Sequence, residues 1–378
     1  MAGITQCARA NWLVLAFPFS GIADVGKRTI VCAVACLVFG LHPMFADAAG
    51  PEAARLLGPP PGDEPTEVLA GFYLSDLTSI EGEHELCVFE GVLTLTWRDL
   101  RQAFDAEALG VQQRIYQGDF QFSEVYEGWW PQLILTNESG DFSRRGNLLR
   151  IASDGMMTYI EELDISAKSP MQMGAFPFDK QTCVASFEVL GFEASEVALS
   201  ADPQNSGHNL KDVSIADWHF IGLTASTTEN DSFEAHAEQA TSSTLHVNIQ
   251  VERVPGFILR VIIAPLIMLV MLSWSVFWMD RESLGDRMDI SFVGILTVVA
   301  FQILVSGQLP HIPYFTLMST FLYINYLLLF GSVIINLAVG WLNRSDRKAM
   351  GNRIDYRCRW IFPISYFGSI GLSALYYL

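Results

Sequence analysis

Hydrophobic residues follow two different patterns along the chain, and the patterns predict two kinds of domain. Between residues 66 and 255, apolar and polar residues alternate over short stretches such as GVLTLTW and TLHVNIQVERV. Alternation of this kind places the apolar side chains on one face of a half-buried β-strand. Turn-rich clusters such as TNESGDFSRRGN separate the stretches at the spacing of a β-sandwich. Residues 66–255 therefore predict a β-sandwich domain.

Beyond residue 256 the apolar runs become long enough to cross a bilayer, which takes about 20 residues. We expect a transmembrane domain over residues 256–378, with helices at 257–278, 287–308, 313–342 and 358–378. The connection between the last two helices is rich in arginine, and positively charged loops stay in the cytoplasm. Four spans then place the β-domain and the C-terminus together on the outer side of the membrane.

The N-terminal segment has the pattern of a secretory signal. Lys27 and Arg28 precede the apolar run TIVCAVACLVFGL, and FADAAG supplies an Ala-x-Ala site that ends at Ala48. Residues 1–48 therefore predict a signal peptide, with a translation start downstream of Met1 as an alternative. The proline-rich residues 49–65 predict a flexible arm.

Composition narrows the classes of function. The net charge of −18 lies mainly on the β-domain, which argues against a nucleic-acid partner and permits attraction of cations, although simple solubility is an alternative. Three of the six cysteines fall in the signal peptide, and the others show neither metal-ligand spacing nor an evident disulfide framework. Since no catalytic constellation is visible, we expect no enzyme and no cofactor, apart from a divalent cation such as Ca²⁺ as a modulator.

The second membrane segment carries charge where charge is costly, which marks a function by default. Steps of three and four residues place six side chains on one stripe of this helix, acidic at the cytoplasmic end and apolar above. Rings of carboxylates attract cations, and apolar rings can gate a pore by dewetting, provided that several chains surround one axis. The alternative is that both acids sit at the membrane interface and the rest is helix packing. The stripe consists of Asp286, Asp289, Val293, Leu296, Ala300 and Ile303.

Five motifs in a fixed order resemble the pentameric ligand-gated ion channels of the Cys-loop superfamily. The resemblance covers residues 66–378 and is closest to the prokaryotic branch, in particular to the amine-gated Erwinia channel. It implies an α+β membrane protein: a periplasmic β-sandwich that binds ligand, followed by a four-helix pore domain, assembled as a homopentamer in the bacterial inner membrane. The motifs are WRD (residues 97–99), WWP (129–131), FPFD (176–179), Arg253 with Pro255, and LPHIPY (309–314).

The resemblance also assigns roles in the pore. It implies that Asp286 forms the selectivity ring for monovalent cations and that Leu296 is the central gate, flanked by Val293 and Ile303. Asp289 departs from the family, which usually has a small hydroxyl or an amide there, and would add to the selectivity ring. Arg287 is expected to point away from the pore axis, toward the cytoplasm or a neighbouring subunit.

A second set of implied roles concerns the junction between the domains. The FPFD loop should press on the linker 309–314, and Asp179 should lie near Arg253, as a buried pair or a solvated one. The disulfide of the family is expected to be absent, because Ser169 occupies the first position; Cys183, at the second, becomes a small core residue. The coupling residues are Phe176, Pro177, Phe178, Asp179, Arg253, Pro310, His311 and Pro313.

The implied agonist site differs most from the family. Amine-gated members surround the ligand with aromatic rings, but the matching positions here are Val92, Thr136 and Leu190. We therefore hypothesise a proton, a divalent cation or a small polar cation as the ligand, rather than a quaternary-type amine. His311 is a candidate for pH gating, because histidine titrates near neutral pH. Nearby candidates for the site are Glu188, Phe192 and Phe233.

Three other functions stay open at this point. An anion-selective channel of the same family is opposed by the two acids of the stripe. A membrane-anchored receptor that does not conduct would be expected to lack that stripe. A transporter is disfavoured because no internal repeat or broken helix pair is visible.

Overall fold

The computed structural model describes residues 57–209, 215, 217–231, 241–279, 284–307, 311–345 and 347–378. The predicted signal peptide and two of the predicted site residues, Phe233 and Pro310, lie outside these ranges.

Within the described ranges, eleven strands form two sheets. Strands β3-β5-β6-β2-β1-β8, with β9 beside β1, form the larger sheet, and β10-β11-β7-β4 form the smaller one. The alternation in the sequence matches the strands: in β11, Leu245, Val247, Ile249 and Val251 are fully buried. The strands are β1 (Thr66–Glu81), β2 (Leu86–Arg98), β3 (Gln113–Gln117), β4 (Leu133–Leu135), β5 (Ser143–Ala152), β6 (Met156–Lys168), β7 (Lys180–Val189), β8 (Val197–Ala201), β9 (Gly207–His208), β10 (Trp218–Asp231) and β11 (Thr241–Arg253).

Aromatic side chains fill the space between the two sheets. The ring of Phe72 in β1 lies 6.1 Å from that of Phe89 in β2 and 6.2 Å from that of Phe187 in β7. Because the rings come from both sheets, they join the two layers into one core. Short helical turns at Leu100–Gln102, Ala106–Leu109, Gly118–Phe120 and Gln121–Val125 connect the strands at one end.

A disulfide bond between Cys87 and Cys183 also joins the sheets, with a Cα–Cα distance of 5.9 Å. The expectation that Cys183 is only a small core residue is therefore wrong, although this bond is not the family disulfide, whose first position is Ser169. The two cysteines occupy buried positions on β2 and β7, and their separation of 96 residues carries no signal of the contact. Closing a loop of this length removes entropy from the unfolded chain, which stabilises the fold by about 4–5 kcal/mol.

Four long helices follow the β-domain in the described part of the chain. They are α1 (Gly256–Trp278), α2 (Leu284–Ser306), α3 (Leu317–Arg344) and α4 (Lys348–Tyr377). By length and composition α1, α2 and α3 could each cross a membrane. Helix α4 is less apolar, since its first three turns are charged and its remainder contains serine and tyrosine. The fourth membrane span stays a prediction.

Candidate functional site

The stripe predicted on the second membrane helix lies on the exposed side of α2. All six of its side chains are exposed, with Leu296 at 70% and Ile303 at 69% of full exposure. The opposite face is buried against the chain's own helices, and a Cβ atom at Gly294 would lie 3.2 Å from Leu329 of α3. The helix therefore presents two acids and an apolar row away from its own chain. An exposed apolar surface of this kind marks an interaction surface or a site.

An ion pair at the foot of α2 fixes which face is exposed. The Nη2 atom of Arg287 donates to Oδ1 of Asp355 in α4 at 3.0 Å, and these side chains are only 1% and 2% exposed. The expectation that Arg287 points toward the cytoplasm or a neighbour is wrong: the side chain points into its own bundle. The reason is that α4 begins at Lys348, so Asp355 lies inside the helix and not in a loop.

Hydrogen bonds continue this contact along the buried face of α2. The Oγ atoms of Ser291 and Ser332 lie 3.0 Å apart, and Nδ2 of Asn336 donates to Ser291 at 3.4 Å. Both partners belong to α3 and are fully buried. Because buried polar groups keep their partners, these bonds resist rotation of α2 about its own axis.

The junction between the domains is organised around Arg253. Its Nε atom lies 2.8 Å from Oδ1 of Asp179, and its Nη2 atom 3.3 Å from Oδ2. The guanidinium also lies 4.1 Å from the ring centre of Trp218 and 4.9 Å from that of Phe176. The expected contact is thus present, and it is buried: the side chains are 9% and 1% exposed. Gln181 adds a donor to Asp179 at 2.7 Å.

The loop that contains FPFD contacts the start of α3. The amide of Met173 donates to the hydroxyl of Tyr314 at 3.2 Å, and the amide of Leu317 donates to the carbonyl of Gly174 at 2.8 Å. Phe178, His311 and Pro313 are exposed in the same region. Pro177 follows Phe176 through a cis peptide bond.

Hydrogen bonds, rather than the family disulfide, close the loop that contains FPFD. The buried Ser169 hydroxyl accepts from the amide of Val184 at 2.9 Å and donates to its carbonyl at 3.3 Å. Gln172 and Gln181 form a second pair of bonds inside the loop. Ser169 thus holds the ends of the loop together, while Cys183 bonds to the opposite sheet.

The predicted agonist positions divide into two groups in the structure. Thr136 follows β4, Glu188 lies on β7 and Leu190 follows β7, so these three share the smaller sheet, and Glu188 is only 5% exposed. Val92 lies on β2 in the larger sheet, opposite Tyr73 and Glu162. Within one chain, Val92 therefore lies on a different sheet from the other three positions.

A cavity of about 280 Å³ lies beside the predicted agonist positions. Leu190 and Phe192 line it together with Trp129, Trp130 and Gln132, and the rings of Trp129 and Phe192 are 5.9 Å apart. In the sequence these tryptophans belong to a family motif, and their role as lining residues was not predicted. The feature of the sequence that could have identified them is their position just before the short strand LIL. Among the described residues, no three His, Cys, Asp or Glu side chains meet as a metal ion would require.

Comparison with known proteins agrees with this architecture. The neurotransmitter-gated ion-channel ligand binding domain matches residues 55–255, and the transmembrane region of the same channels matches residues 262–350. The chain belongs to the neurotransmitter-gated ion-channel family. Its fold is therefore a ligand-binding β-sandwich followed by a transmembrane helical domain, the resemblance to the Cys-loop channels is confirmed, and the family consists of channels rather than enzymes.

Individual relatives come from bacteria and animals. The chain is 26% identical over 311 residues to a proton-gated ion channel of Gloeobacter violaceus, covering 82% of this chain and 83% of the relative. It is 24% identical to a gamma-aminobutyric acid receptor subunit beta-like of Drosophila melanogaster, and 25% identical to human subunit rho-2. These matches cover 76% and 69% of this chain. The chain spans only 59% and 56% of the two receptor subunits.

Proposed function

We propose that the chain forms a homopentameric, ligand-gated, cation-selective channel in a bacterial inner membrane, with the β-domain in the periplasm. The observation that carries this proposal is the exposed face of α2, which is acidic at one end and apolar above. Lipid is a poor environment for Asp286 and Asp289, whereas a wet axis between five copies solvates them. The Cys87–Cys183 disulfide supports an oxidising compartment.

In this channel, Asp286 and Asp289 form rings that attract cations, and Leu296 is the hydrophobic gate with Val293 and Ile303. Ala300 lines the wall between them. The buried pair of Arg287 and Asp355 supports the assignment, since it holds the positive charge of Arg287 away from the axis. An arginine on the axis would instead attract anions.

Movement of the β-domain reaches the pore through the junction around Arg253. The loop that contains FPFD contacts Tyr314, in the connection between α2 and α3, and Leu317, the first residue of α3. Pro310, His311 and Pro313 belong to the same connection. The aromatic rings and the carboxylate around Arg253 make this junction stiff enough to transmit a displacement.

The ligand binds between subunits, where Val92 of one chain faces Thr136, Glu188, Leu190, Phe192 and Phe233 of the next. The separation of Val92 from the other positions within one chain supports a site of this kind. None of the three matched positions is aromatic, which favours a proton, a divalent cation or a small polar cation. The name of the Gloeobacter relative, a proton-gated channel, supports a proton. The ligand opens the pore by binding the open state more tightly than the closed state.

Recording from the purified full chain in planar bilayers tests the proposal. Steps in pH, calcium and small amines are applied while a tenfold NaCl gradient is held across the membrane. A current that one stimulus opens and that reverses near the sodium equilibrium potential is the expected result. Failure of every stimulus to produce current would favour the non-conducting receptor.

A further inference from the structure

One carboxylate of the β-domain faces the interior of the sandwich. Glu161 lies on β6 between Tyr159 and Leu163, on the face that packs inward, and the three residues are 4%, 1% and 1% exposed. Its neighbours across the sheet are Leu93 of β2 and Asn147 of β5. An ionised carboxylate is costly in such surroundings unless a cation pairs with it.

Arg144 of β5 is that cation, and it contacts both sheets. Its Nη1 atom donates to Oε1 of Glu161 at 3.2 Å, and its Nη2 atom donates to the carbonyl of Leu133 at 3.1 Å. Leu133 begins β4 in the smaller sheet. The charge on Glu161 therefore holds Arg144 where it ties the larger sheet to β4. The Arg144 side chain is 41% exposed, which gives protons a route from water.

The groups around Glu161 shift the pKa of its carboxyl in opposite directions. Burial has the largest effect and raises the pKa of the Glu161 carboxyl above its ordinary value, while Arg144 and a hydrogen bond from Tyr159 lower it and Asp119 raises it. The net shift is upward. The next residue, Glu162, points outward and its side chain is 52% exposed. The sequence thus places a buried acid and an exposed acid side by side.

We propose that Glu161 is a proton-binding site that regulates the channel through Arg144 and β4. A proton on the carboxylate removes the charge that holds Arg144, and the link from Arg144 to the Leu133 carbonyl loosens. Strand β4 pairs with β7, and the amide of Leu190 donates to the carbonyl of Gln132 at 2.9 Å. The loosened segment therefore leads directly to Thr136 and Leu190 in the proposed agonist site. The regulatory part of this inference rests on the proposed channel function.

The pH response of the current tests the site. In Glu161→Gln the side chain is permanently neutral, so at pH 7.5 this variant should gate as wild type does at pH 4.5. Its change in open probability between these pH values should be at least threefold smaller than that of wild type. Arg144→Gln removes the guanidinium that ties the larger sheet to β4, so it should lose the same part of the pH response as Glu161→Gln. Glu162→Gln is the matched control and should respond like wild type.

A wild-type pH response in Glu161→Gln, or equal losses in Glu161→Gln and Glu162→Gln, would overturn the proposal. A wild-type pH response in Arg144→Gln would also do so.

Thermal unfolding of the full chain tests the site without any current. Because the pKa of Glu161 is raised in the folded state, the folded protein binds the proton more tightly than the unfolded chain. The stability that this proton contributes is present at low pH and is lost as the pH rises through the folded-state pKa. The Tm of wild type relative to Glu161→Gln should therefore rise as the pH falls from 7.5 to 4.5, and a constant difference contradicts the site. If this difference changes while no stimulus opens a current, the proton site stands and the channel function fails.

Discussion

Arg287 of α2 and Asp355 of α4 form an ion pair that is almost fully buried, 3.0 Å from nitrogen to oxygen. The pair lies one residue from Asp286, which is exposed on the other side of the same helix turn. It therefore joins the start of α2, the proposed pore helix, to α4, the last helix of the chain. Removal of one partner of a buried ion pair is strongly destabilising, because the other charge stays in the interior.

Breaking this pair should destabilise the chain. Arg287→Gln and Asp355→Asn should each lower the apparent free energy of unfolding by about 3–5 kcal/mol, because each removes one member of a buried ion pair and leaves the other charge in the interior. The double variant should lose less than the sum of the two. Thermal unfolding of the purified protein measures all three.

Arg353→Gln is the matched control for this series, since Arg353 lies on the same helix but is exposed. We expect a change within about 0.5 kcal/mol for it. Strictly additive losses in the double variant would contradict a direct interaction between Arg287 and Asp355.

The buried ion pair of Arg253 and Asp179 should stabilise the chain far more than the surface pair that lies next to it in sequence. Arg253→Lys keeps the charge but loses the second contact to Asp179 and the stacking on Trp218, so it should lower stability by about 1–3 kcal/mol and reduce the maximal current. Lys180 and Glu252 form a surface pair beside it, with side chains 67% and 46% exposed.

For that surface pair, Lys180→Gln should cost less than about 1 kcal/mol and leave the current unchanged. Surface labelling separates loss of gating from loss of expression. Equal effects of Arg253→Lys and Lys180→Gln would show that burial of the junction pair has no bearing on stability or gating.

The disulfide between the sheets should be detectable chemically. Peptide mapping without reduction should recover Cys87 and Cys183 in one linked fragment, and Cys183→Ser should lower the free energy of unfolding by about 4–5 kcal/mol. Cys358→Ser is the control, because Cys358 is a free thiol on α4. Recovery of Cys87 and Cys183 as free thiols from protein exported to an oxidising compartment would contradict the bond.

A polar side chain at the gate should open the closed pore to water. Leu296→Ser should produce resting current without ligand, because dewetting requires an apolar ring. Ile295 is one residue away but packs against the hydrophobic core and lines a cleft with Tyr326 and Leu327 of α3, so Ile295→Ser should leave the resting current low. A silent Leu296→Ser with normal surface expression would place the gate elsewhere.

Local periodicity was sufficient to predict both domains and the exposed stripe of α2. Alternation located strands such as β11, and steps of three and four residues selected Leu296 and Ile303 as members of one face. The periodicity of apolar residues, and the burial that follows from it, are local properties of a strand or helix. A single sequence is therefore sufficient to predict them. The contact between Asp179 and Arg253 came from the family resemblance and not from periodicity.

Contacts between distant segments were not predictable from the residues. Cys87 and Cys183 are 96 residues apart, and only the packing of the two sheets brings them together. The charges of 343–359 indicate a cytoplasmic connection in the sequence, whereas Asp355 lies in the first turns of α4, which begins at Lys348. In the same way, the partner of Glu161 depends on a bulge in the pairing of β5 and β6 between Arg144 and Gly146.

The reversal potential under a tenfold NaCl gradient tests cation selectivity most directly. Wild type should reverse near the sodium equilibrium potential, about 59 mV from zero. Asp286→Ala should move the reversal potential toward zero, Asp289→Ala should move it in the same direction, and Glu162→Gln in the β-domain should leave it unchanged. Reversal of the wild-type current near the chloride equilibrium potential, of opposite sign, would contradict a cation-selective pore lined by these two acids.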